Sequence, residues 1–239
     1  MRAPLRTRRD LARAWHAATA AVCAVALAVQ VGLVVSGASV LVTDGPVPGT
    51  GTRLWRFFGY FTVQSNLLVL VTVASLALDP ARDGRLWRVT RLDAVVGITV
   101  TGVVHFFFLR PLLHLHGWSA VTDKLLHVVV PLMAVAGWLA LGPRGRTDGR
   151  TVAGAMAWPL AYVVYTGVYG ASAHWYPYPF ADVDRHGYAR VAVNGLGVLA
   201  LLLALSLAAR ALDGQALDGQ GLDAPRSGGA QGTTAPEEA

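Results

Sequence analysis

Asp123 and His127 stand four residues apart in an apolar run that continues through Pro131 to Leu141. On a helix, that spacing puts the carboxylate and the imidazole on one face. Titratable groups inside an apolar span are costly, and they turn towards a protein interior or a wet cavity. A hydroxyl nucleophile needs a base to take its proton, and an imidazole held by an orienting group is the usual solution. Thr62, His127 and Asp123 supply those three types. Asp123 either orients His127 or caps the start of its helix. Asn66, His105, Tyr178 and Asn194 are the supporting polar residues, with Asn66 or Tyr178 able to donate to an oxyanion.

Other chemistries fit the chain less well. No Gly-x-Ser-x-Gly elbow, phosphate loop or Gly-x-Gly-x-x-Gly sequence occurs. His105, His114, His116, Asp123, His127 and His174 offer ligand atoms, but none shows His-Glu-x-x-His spacing, so no metal is expected. A haem between His105 and His127 would require both rings to point inward at one level, and no cofactor is expected. Each residue also has a plainer role. Thr62 can bond its own backbone, His127 a neighbouring helix, and Lys124 can snorkel to the interface. Asn66 and Asn194 suit interhelical contacts.

The elements that must position these groups are apolar helices. Of 239 residues, 54% are hydrophobic and 14% charged, with a positive mean hydropathy. A soluble domain carries about 25% charged residues. A span takes about 20 apolar residues, and the runs predict an all-α, polytopic membrane protein of six transmembrane helices. The spans fall at about 14–42, 55–78, 92–109, 121–141, 151–172 and 188–211. Thr7-Arg8-Arg9-Asp10-Leu11 invites a twin-arginine export reading. The apolar stretch behind it is twice the length of a signal-peptide core, which favours an uncleaved first helix. Cys23 is the only cysteine, so no intrachain disulfide forms. Residues 212–239 repeat Ala-Leu-Asp-Gly-Gln and drift into Gly, Ser, Thr and Pro, and they are expected to be a disordered tail without chemistry.

Six spans divide the 20 Lys and Arg into fourteen on the side of the termini and six on the other. Positive residues gather in the cytoplasm, so both termini, including the basic residues 1–13, are expected there in the cell membrane. The net charge of +6 is read as setting topology, with no nucleic-acid partner. Thr62, Asn66, His105, Asp123, His127 and Asn194 then all fall in the outer half of the bilayer. The aromatic loop from His174 to Phe180 lies just above them, as a pocket opening outward needs.

Three stretches carry a resemblance. Trp55 to Leu67, containing Phe61-Thr62-Val63-Gln64-Ser65-Asn66, resembles the threonine-bearing helix of the androgen-induced membrane proteins. His127-Val128-Val129-Val130-Pro131 resembles their histidine-bearing helix, and Trp175-Tyr176-Pro177-Tyr178-Pro179-Phe180 their Trp-x-Tyr-Pro-Phe loop. The whole pattern is similar to the bacterial six-helix proteins labelled Pr6Pr. The resemblance implies an intramembrane hydrolase of fatty acid esters of hydroxy fatty acids, with Thr62 as nucleophile and His127 as base. Gln64-Ser65-Asn66 replaces a mostly apolar family segment, and His127 stands one residue nearer its proline than the family spacing.

The reading that follows is an intramembrane hydrolase of lipid-like esters, with membrane lipid as its surroundings. The alternative is a non-enzymatic membrane protein that binds or helps transport a lipid or small ligand in the same pocket.

Overall fold

The structure, a computed structural model, describes residues 5–37 and 47–221. Among them the chain forms nine α-helices and no strand. They are α1 Leu5–Val35, α2 Thr50–Phe58, α3 Phe61–Leu78, α4 Arg85–Val104, α5 Gly117–Lys124, α6 Val130–Ala140, α7 Gly149–Ala155, α8 Ala157–Ala173 and α9 Val183–Gly221. Among the described residues, six continuous runs are long and apolar enough to cross a membrane: Thr7–Val35, Phe61–Leu78, Arg85–Leu112, Gly117–Ala140, Gly149–Ala173 and Val183–Gln215. The architecture is all-helical and compatible with a six-span membrane bundle.

α4 is the pole of the bundle. Its apolar window is 61% buried, against 11% for α9, and it packs on α3, α6, α7 and α9. On one side, Ile98 of α4 meets Cys23 and Ala26 of α1, Val69 of α3 and Val130 of α6. On the other, Val96 and Val100 meet Val152 and Ala155 of α7 and Leu202 of α9. Inside a bilayer such packing, rather than exclusion of water, holds helices together, and small residues let backbones approach. A Cβ on Gly97 would come within 2.8 Å of Trp158, and one on Gly102 within 3.3 Å of the His127 carbonyl oxygen.

The first helix ends at Val35, short of the expected residue 42, and residues 38–42 lie outside the described residues. Two further expectations change. The second span was expected to run unbroken over 55–78, but the chain stops being helical between Phe58 and Phe61. Gly59 is a poor helix former, and Tyr60 adopts an extended backbone (φ −76°, ψ 131°). The carbonyls freed there find partners, since Tyr162 Oη donates to Gly59 O at 3.1 Å and Gln64 Nε2 to Phe58 O at 3.0 Å. Gln64 in turn accepts from Trp158 Nε1 at 3.0 Å. Thr62 therefore sits in the first turn of α3, not one or two turns down a longer helix.

The second change concerns the tail. Gly187 (φ 74°) breaks α9 after its first turn, so the long run begins at Tyr188 as expected, but it continues past Ala211 to Gly221. Asp213, assigned no role from sequence, is fully buried and accepts from the backbone N–H groups of Gly145, Arg146 and Thr147 at 3.0, 2.7 and 2.8 Å. The remainder of the expected tail, 222–239, lies outside the described residues, as do residues 1–4 of the basic N-terminus.

Candidate active site

The break before α3 exposes a helix N-terminus, and Thr62 occupies it. N–H groups in the first turn of a helix have no partner within the helix. That of Thr62 donates to Tyr178 Oη at 3.2 Å. The Thr62 side chain, 8% exposed, lies with Oγ1 3.3 Å from His127 Nε2 and 3.4 Å from Tyr178 Oη.

His127 reaches Thr62 because its helix is locally underwound. Residues Leu125–Val129 form a π turn between α5 and α6. Pro131 has no N–H to offer the His127 carbonyl, and its ring crowds that oxygen, so the α-helical ladder cannot continue through this point. π turns inserted in α-helices are frequent at functional sites. A second one, His105–Leu109, ends α4 just ahead of Pro111 and carries the other buried imidazole. The two π turns face each other where Gly102 lets α4 approach the His127 backbone.

Hydrogen-bond logic fixes the His127 tautomer. Nδ1 lies 3.0 Å from the Asp123 backbone carbonyl, which can only accept, so Nδ1 carries a proton. Neutral His127 then presents a lone pair at Nε2, where it accepts the Thr62 O–H. The Asp123 carboxylate lies alongside, with Oδ1 also 3.0 Å from Nδ1. The Nδ1–H is directed at the carbonyl, and the carboxylate adds its charge next to the ring. Asp123 Oδ2 sits 3.3 Å from His105 Nε2. Asp123 thus orients His127 from within α5 and does not cap that helix, whose N-cap residue is His116.

These side chains line a cavity of about 430 Å³ that opens at the end of the bundle between Pro48, Leu113, Ser119 and the loop from His174 to Asp182. Tyr178 forms its floor beside Thr62. Burial pushes the Tyr178 phenol above its ordinary value, so it remains a neutral O–H donor. Tyr60 packs edge-on against both Tyr178 and Trp175, and Arg56 stacks over Trp175 with its Nε buried and unpartnered.

Compared with models of known protein families, with curated proteins and with solved structures, the chain matches none. The site therefore rests on its own geometry.

Five of the seven residues singled out from sequence converge: Thr62, His127, Asp123, His105 and Tyr178. The other two are joints. Asn66 is fully buried, and its Nδ2 donates to the Thr62 and Leu126 carbonyls at 2.8 and 3.3 Å. Those bonds tie α3 to the π turn and leave Asn66 no proton for an oxyanion. Asn194 Nδ2 donates to Phe180 O at 2.8 Å and fastens the aromatic loop to α9. Three lining residues were not anticipated. Gln30, the one amide in the apolar run of α1, accepts from Thr122 Oγ1 at 2.6 Å and anchors α5. Its isolation in an apolar span was the available signal. Arg56 and Tyr60 fall in the aromatic stretch just ahead of Thr62.

His105, Asp123 and His127 could together present three ligand atoms to a metal ion. The two imidazoles, however, stack with planes 16° from parallel. Nitrogen lone pairs lie in the ring plane, so nearly parallel rings do not aim them at a single point. The arrangement as it stands suits protons shared with one carboxylate.

Proposed function

We propose that this chain is an integral membrane hydrolase of lipid-like esters, with Thr62 as nucleophile and His127 as general base. The observation that carries the reading is the 3.3 Å approach of Thr62 Oγ1 to His127 Nε2, with the opposite ring nitrogen held by Asp123. Thr62 Oγ1 attacks the ester carbonyl carbon while Nε2 takes its proton. Negative charge develops on the carbonyl oxygen and is met by the Tyr178 O–H. His127 returns the proton to the departing alcohol as the C–O bond breaks, leaving an acyl-threonine. Water attacks that ester with His127 again as base, and the fatty acid leaves as Thr62 regains its proton. Asp123 stabilises the imidazolium in both halves.

The resemblance of the Thr62, His127 and Tyr178 segments to the androgen-induced membrane proteins supports the same assignment. The bias of fourteen Lys and Arg over six supports cytoplasmic termini. The cavity then faces the outer leaflet or extracytoplasmic surface of the cell membrane, where ester lipids are its neighbours.

A fluorophosphonate probe tests the assignment. The wild-type protein is expected to be labelled, and Thr62→Ala and His127→Ala each to lose the label while remaining folded. Equal labelling of all three would sink it. A lipid copurifying intact, with no turnover across a panel of esters, would point to the non-enzymatic binding alternative.

A further inference from the structure

A second cavity, about 480 Å³, meets the first at Thr62, Leu109, Tyr176 and Tyr178, which line both. It runs between α4, α8 and α9 and differs in two ways. Its walls are hydrocarbon from Val100, Leu199 and their neighbours, and most of the polar atoms along it are engaged elsewhere. Thr101 Oγ1 donates to Ser65 and Tyr162 Oη to the Gly59 carbonyl, while the buried Thr166 hydroxyl has no partner and the Tyr176 and Tyr188 rings also lie along the lining. The second difference is where it opens. Its lining includes Ala192, which is exposed, and Val163 and Leu196, 43% and 66% exposed, on the flank of the two least buried spans. The first cavity opens at the end of the bundle, and this one opens sideways.

We infer that the lateral cleft between α8 and α9 is the acyl-chain site: a membrane lipid slides one alkyl chain in from the bilayer, bringing its ester to Thr62 and its polar half into the end cavity. This rests on the hydrolase reading for the ester at Thr62. The cleft's preference for an alkyl chain rests only on its apolar lining and its lateral mouth. A chain already surrounded by lipid loses little solvation on entering such walls, so fit decides occupancy, and Ala192 is one of the exposed residues on the lining.

The test uses the full-length protein in detergent and a non-hydrolysable probe, 1-O-dodecylglycerol carrying a diazirine at the end of its chain. Photolysis is expected to mark peptides around Val163 and Leu196. Ala192→Trp, at an exposed position that tolerates bulk, should reduce marking by roughly ten-fold or more, the order that misfit in an apolar pocket costs. Leu196→Trp should reduce it similarly, and an unchanged thermal transition shows that each variant is folded. The probe carries no ester, so its marking does not depend on turnover. Failure of ester turnover would therefore reject the hydrolase reading without touching the cleft. Marks confined to the end cavity, marking that survives both tryptophan variants, or a dimer whose α9 faces cross-link and exclude the probe would each overturn the inference.

Discussion

The imidazole of His105 lies flat against that of His127, with centroids 3.9 Å apart and planes 16° from parallel. Both rings address Asp123, one from each oxygen. Two imidazolium ions at that spacing would repel strongly, whereas one cation, one neutral ring and one carboxylate form a compensated set. The carboxylate between the two rings is thus placed to offset one positive charge, as the proposed mechanism asks of a base.

Chelation separates proton chemistry from metal chemistry. Prolonged treatment with EDTA is expected to leave fluorophosphonate labelling at its starting rate. Loss of labelling, restored by added zinc, would reassign His105, Asp123 and His127 as ligands.

Asp123→Asn keeps the size of the side chain but removes the charge beside Nδ1. By analogy with other oriented imidazoles, the hydrolysis rate is expected to fall by roughly 10²- to 10⁴-fold. Ester turnover measured across pH reads this directly, and a drop smaller than three-fold would remove Asp123 from the mechanism.

Tyr178→Phe preserves the stack on Phe180 and deletes the donor. Because burial raises the phenol, the native O–H stays protonated up to and beyond its ordinary pKa of about 10. No alkaline limb below that pH is expected from this group. A loss of roughly 10²- to 10³-fold in kcat, with KM little changed, is expected if it serves the oxyanion. A change confined to KM would make it a contact for the bound substrate.

Pro131→Ala restores an N–H four residues after His127. The local helix can then close its α-helical bond to the His127 carbonyl, rotating the imidazole away from Thr62. Activity should fall by roughly ten-fold or more while thermal stability holds or rises, since helix-interior proline costs about 3 kcal/mol. Retained activity together with a raised melting temperature would show that the π turn does not position the base.

Asp213→Ala strips three backbone N–H groups of their acceptor at the opposite end of the bundle. A buried donor left unsatisfied costs about 1–3 kcal/mol, so a clear drop in thermal stability is expected with labelling of Thr62 preserved at low temperature. Unchanged melting would mean that water takes the place of the carboxylate.

The spacing of Asp123 and His127, the lone Thr62 and the aromatic loop carried most of the site, because helical periodicity and apolar run lengths place side chains by face and by end. What stayed hidden was non-periodic. A π turn adds a residue without changing composition, so the two beneath His105 and His127 left no mark beyond Pro111 and Pro131. The stop at Gly59–Tyr60 was masked by an unbroken apolar pattern. Asn66 and Asn194 read as polar groups near a pocket, and only the carbonyls they meet, on other segments, distinguish a joint from a donor. Asp213 reads like its Gly- and Gln-rich neighbours because its three partners lie more than sixty residues away.

The underwound turns have a consequence for inheritance. Each is one surplus residue in an otherwise regular rod, so deleting a single position such as Val128 would swing the imidazole towards another face, with Pro131 then crowding the Leu126 carbonyl instead. The surrounding packing from α1 to α9 would be nearly untouched. Descendants of this scaffold can therefore lose or regain the proposed base by single-codon indels, with the bundle of helices carried along.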